Sequence, residues 1–79
     1  MKTEYKTRDL YEAAYLVAKG LNLKRLERKP SSRRCFFVFD NLSECKMAVV
    51  DFWNGRGVIT PKSYAEAIRN LKDRLYAGV

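Results

Sequence analysis

Histidine is missing from this chain of 79 residues. With it goes the commonest general base and metal-binding side chain. Cysteine is scarce, with only Cys35 and Cys45 present. Two thiols without imidazole fall short of the four ligands of a structural zinc site. Nor do they form the disulfide framework of a small secreted domain, so reduced thiols in a cytoplasmic protein are expected. The apolar runs are far shorter than the roughly 20 residues a membrane span needs. The charged start MKTEYKTRDL lacks the apolar centre of a secretory signal. Gly55-Arg56-Gly57 lacks the frame of a phosphate-binding loop. Ser31, Ser32 and Cys35 have no histidine to activate them. The chain is therefore expected to be no enzyme, with no catalytic residue, no cofactor and no metal.

What is present describes a globular object. Apolar residues make up 47% and aromatic residues 13%, a composition that builds a core. The length suits one small domain over residues 1–79, with no repeat, linker or low-complexity segment. The net charge is +7, and residues 19–34 hold +6 of it: Lys19, Lys24, Arg25, Arg28, Lys29, Arg33 and Arg34 against Glu27. Concentrated positive charge attracts polyanions; it also keeps a small protein soluble.

The punctuation predicts an α+β fold. Lys2–Lys6 reads as a short strand. Asp9 reads as an N-cap with Glu12 completing a capping box, and Leu10, Ala13, Ala14 and Val17 fall at helical spacing up to Gly20, a left-handed C-cap. The first helix is expected over 10–19. After Gly20 the period changes: 21–28 and 33–39 pair as a β-hairpin around the turn Lys29-Pro30-Ser31-Ser32, with a bulge near Lys24–Arg25. Asn41 and Thr60-Pro61 start two further helices, near 42–53 and 61–76. Val58-Ile59 is a very short extended piece, and a fourth strand there would give the β-α-β-β-α-β order of ferredoxin-like domains.

Three stretches carry a resemblance. YKTRDLYEAAYLVAKG, RRCFFVFDN and VVDFWNGRGVITPKSYAEAIRNLKDRLY resemble a family of small uncharacterised bacterial and phage proteins, catalogued as a domain of unknown function. The shared features are Tyr5-Lys6-Thr7, Ala18-Lys19-Gly20, Phe37-Val38-Phe39 and Phe52-Trp53-Asn54-Gly55. The resemblance implies one cytoplasmic domain and supplies no activity and no site.

Two readings of function remain. In the first, the chain is a non-specific nucleic-acid-binding accessory factor, using Lys24, Arg25, Arg28, Lys29, Arg33 and Arg34 of the hairpin on phosphates. The strand Arg33–Phe39 departs from the RNA-recognition strand at the positions that stack bases. Only Phe36, or Phe37 with Phe39, is left to stack on a base. In the second, the chain is a protein-interaction module or homo-oligomer with Trp53, Tyr11 and Tyr15 as contact residues, because exposed aromatic surface and open strand edges are adhesive.

Overall fold

A computed structural model describes residues 3–28 and 35–77. The expected turn over 29–32, the basic residues Lys29, Arg33 and Arg34, and Gly78 lie outside the described residues. Among the described residues the order is β1 (Glu4–Thr7), α1 (Leu10–Ala18), β2 (Leu23–Arg28), β3 (Cys35–Asp40), α2 (Leu42–Trp53) and α3 (Pro61–Ala77). The strands form one antiparallel sheet in the order β1-β3-β2. The fold is α+β, with the central strand β3 flanked on both edges. No helix among the described residues is long and apolar enough to cross a membrane.

Local chemistry sets the boundaries. The side chain of Asp9 accepts from the backbone N–H of Tyr11 and Glu12 and starts α1. Gly20, at φ 91°, ends it: Leu21 N–H bonds to Leu16 O and Gly20 N–H to Val17 O, the paired bonds of a left-handed helix stop. Leu21 belongs to that stop, so β2 begins at Leu23 and not at residue 21 as the alternation suggested. The expected bulge is present, with a register shift between Leu23 opposite Phe39 and Arg25 opposite Val38. Asn41 caps α2 through Glu44 N–H, and Thr60 caps α3 through Ser63 N–H.

The fourth strand does not form. Residues 54–60 make a turn and then extended coil. Gly57 passes so close to Tyr15 of α1 that a Cβ there would sit 2.6 Å from its ring, which holds the segment against the helices and away from the sheet edges. The segment thus follows the helices, and Ile59 packs against the core. Strands β1 and β2 flanking β3, with α1 between them in sequence, keep the ferredoxin-like half-motif without its last strand.

The core lies on one face of the sheet. Phe37 and Phe39 point into it and meet Ala13, Tyr15 and Leu16 of α1, Cys45 of α2, and Ala67 and Leu71 of α3. α1 is the middle helix, packed against both α2 and α3. Its alanines allow that close approach. The stacking role considered for Phe37 and Phe39 is excluded, because both rings are fully buried.

Candidate functional site

Among the described residues, the opposite face of the sheet carries no helix and is roofed by charged side chains. Glu4 and Lys6 of β1 and Arg25 and Glu27 of β2 project there beside Val38 of β3. Arg25 contacts Glu4 at 3.0 Å and Glu27 at 2.7 Å; Lys24 reaches Glu4 at 2.8 Å and Asp40 at 3.6 Å; Lys6 reaches Glu27 at 3.1 Å. Because β3 lies between β1 and β2, the pairs that join Glu4 and Lys6 to β2 pass over the central strand. Val38 beneath them is fully buried although no helix covers it, consistent with the aliphatic stems of long charged residues acting as cover. The bulge matters here, since it turns both Lys24 and Arg25 toward the acids of this face. Hydrogen bonds from Arg25 and then Lys24 hold the Glu4 carboxyl down at about 2. Those from Lys6 and then Arg25 lower Glu27, and the bond to Glu4 raises Lys24 and, with Glu27, Arg25.

Two of the six proposed phosphate contacts, Lys24 and Arg25, are thus engaged within the protein. Arg28 faces the other way and donates to the backbone carbonyl of Leu75 near the end of α3. Phe36 lies half-buried on the roofed face, opposite Glu27.

The aromatic candidates separate clearly. Tyr15 is buried in the core, against the ring of Phe52 at 5.3 Å. It cannot be a contact residue: Tyr11 and Tyr15 share a face of α1, but Tyr15, one turn further on, is covered by Phe52 and by the chain at Gly57. Tyr11 is exposed, and its carbonyl accepts from the Tyr64 hydroxyl at 3.2 Å. Trp53 is 62% exposed, yet it is fixed in place. Its Nε1–H donates to Glu12 Oε2 at 2.8 Å, and its ring meets Phe52 edge-on at 5.0 Å. Glu12 itself is buried, and its other oxygen accepts from the Tyr5 hydroxyl. Burial, then the bond to Glu12, pushes the Tyr5 hydroxyl pKa up, so it remains a donor.

This corrects the capping-box expectation for Glu12. Its backbone N–H is capped by Asp9, but its side chain turns inward to Tyr5 and Trp53, and Thr7 Oγ1 takes the Asp9 N–H in its place. A buried carboxyl group bridging strand β1 to the end of α2 is a costly way to stabilise a small core. What it achieves is a fixed orientation for an exposed indole.

Trp53 is not alone. Met47 is 71% and Val50 52% exposed, and the three recur every third residue along one side of α2. The buried side of α2 is Cys45, with Ala48, Val49 and Phe52 packed against the core. Next to Trp53, the 54–60 segment, Tyr15, Phe52 and Tyr64 enclose an open cleft of about 370 Å³. Met47 and Val50 were not among the contact residues expected from the sequence. The legible signal was a second apolar line on a helix whose core-facing line was already complete. The thiol of Cys45 is buried and donates to Asp40 O at 3.3 Å; burial, then Glu44 and Asp40, raises its pKa. Cys35 is a half-buried free thiol.

A family model described as a domain of unknown function (DUF5659) matches residues 2–77, and the chain belongs to that family. No curated protein and no solved structure matches it.

Proposed function

We propose that the protein is a cytoplasmic protein-interaction module whose contact surface is the outer side of α2, with Trp53 as its anchor. One observation carries this reading: the exposed indole of Trp53 is held by a buried carboxyl group, in line with exposed Met47 and Val50. Tryptophan is the residue most enriched at binding hot spots, and a side chain fixed before binding loses less entropy on contact. Placing a photo-activated cross-linking amino acid at Met47 and, separately, at exposed Lys62 of α3 tests it in cells. Discrete protein adducts from position 47 and none from 62 support the reading. No adduct from 47, or the same adducts from both, contradicts it.

Nucleic-acid binding is a second reading, favoured by where the unneutralised charge lies. On the roofed face Lys6, Lys24 and Arg25 are balanced by Glu4, Glu27 and Asp40. Arg28, by contrast, is tied to the end of α3, which carries Arg69, Lys72 and Arg74 against the single acid Asp73. That contact joins basic groups of two elements at one end of the protein. If Arg28, Lys29, Arg33 and Arg34 touch phosphates, log affinity for random duplex DNA falls with log salt at a slope near −3.6, from about −0.9 per contact. Absence of binding at ~20 mM salt, where such contacts are strongest, removes this reading.

A further inference from the structure

We propose that the cleft bounded by Tyr15, Phe52, Gly57, Ile59, Pro61 and Tyr64 binds a small molecule: a neutral, planar aromatic compound carrying a hydrogen-bonding group for the Tyr15 hydroxyl. None of Met47, Val50 and Trp53 lines this cleft, so the site is independent of the contact surface on α2.

The Tyr15 hydroxyl sets the cleft apart. The chain has five tyrosines. Tyr11 and Tyr76 are exposed to water. Tyr5 and Tyr64 are half-buried, and each hydroxyl donates within the protein, to Glu12 and to the Tyr11 carbonyl. Tyr15 is the most deeply buried of the five, at 3% exposure, yet its hydroxyl bonds to nothing among the described residues. Buried tyrosine hydroxyls ordinarily have a partner. No enclosed side-chain oxygen or nitrogen among the described residues lacks one, so this hydroxyl is not sealed in. It opens to the cleft that its own ring lines. Gly57 keeps it reachable: a Cβ there would lie 2.7 Å from the Tyr15 oxygen. That place is at hydrogen-bonding distance from the hydroxyl, and glycine leaves it open.

The walls set the class of ligand. Phe52 and Tyr64 present rings, with Ile59 and Pro61 beside them, and aromatic rings pack favourably on such surfaces. No charged side chain lines the cleft, so an ionised group would lose its water without gaining a partner. The volume of about 370 Å³ is near the lower limit of small-molecule sites, roughly 300 Å³, and suits one or two rings. The Tyr64 hydroxyl is engaged by Tyr11, and the Thr60 hydroxyl by Ser63 at the start of α3. The Tyr15 hydroxyl is therefore the group that orients the ligand.

Benzamide is the probe, a neutral ring with a carboxamide for the hydroxyl. Titrated into the full chain and followed by amide-resolved NMR, it should shift Tyr15 and residues 52–64, with a dissociation constant of ~1 mM. Benzoate has the same shape with a charge and should bind roughly ten-fold more weakly. Tyr15→Phe removes only the oxygen. It should weaken benzamide by about five- to ten-fold and leave the binding of toluene, which uses no hydroxyl, unchanged. Its melting temperature should not fall, because the hydroxyl bonds to nothing within the protein. No shift at ~20 mM benzamide overturns the proposal. So do shifts centred elsewhere, benzoate bound as tightly as benzamide, or a Tyr15→Phe protein that binds benzamide as the original does. If benzamide binds and also abolishes the adducts formed from position 47, the occupant is a side chain of that partner, and the free ligand is excluded. Adducts that persist with benzamide bound leave the small molecule as the occupant.

Discussion

Glu12 sits at the third position of α1, where an acidic side chain ordinarily folds back onto the helix start. Here Tyr5 and Trp53 supply two stronger claims on its oxygens. Replacing Glu12 with Ala leaves a hydroxyl and an indole N–H without their acceptor, at an expected cost of ~1–3 kcal/mol. Trp53 is the only tryptophan, so its fluorescence anisotropy decay reports the consequence directly. Glu12→Ala should add a fast component absent from the original protein; an unchanged decay would show that the carboxyl group does not fix the ring. Gly57 gives a second expectation at this scale. A Cβ there meets the Tyr15 ring at 2.6 Å, so Gly57→Ala should lower stability by ~1–3 kcal/mol, read from a urea midpoint. The spacing of Asp9 and Glu12 was legible in the sequence, and the N-cap followed from it. The inward turn of Glu12 was not, because Trp53 is 41 residues away and no local rule reports a partner at that distance.

At the scale of elements, β2 and β3 show what alternation can and cannot convey. The irregular spacing of Leu23 and Leu26 revealed the bulge, since a one-residue insertion shifts the phase of every later side chain. The same spacing said nothing of which charged groups would meet across β3, and so Lys24 and Arg25 read as a free basic patch. Their pairing with Glu4 has an acid signature. The Glu4 carboxyl is held at about 2, below its ordinary 4.5, so the folded protein favours its charged form. That contribution is complete above pH 4.5 and disappears as pH falls toward about 2. Glu27 is shifted in the same direction. The melting temperature should fall across that window, and the Glu4 carboxyl signal in an NMR titration should have its midpoint near the lower limit. A midpoint at the ordinary value would mean that the roof over Val38 does not persist in solution.

At the scale of the whole molecule, the protein is a thin plate. Its extents are 36 × 33 × 18 Å, one sheet and one layer of helices. Its accessible surface of 5575 Å² exceeds the roughly 4,900 Å² usual for a folded chain of this mass. The sheet side of the plate is sealed by paired charges. The helix side keeps exposed apolar residues on α2, beside a tryptophan held from beneath. Photo-cross-linking in cells from position 47 tests the α2 surface most directly: discrete protein adducts that disappear when Trp53 is replaced by Ala are predicted, since Trp53 is the exposed anchor of that side. Adducts that persist without Trp53, or none from position 47, would contradict an α2 contact surface.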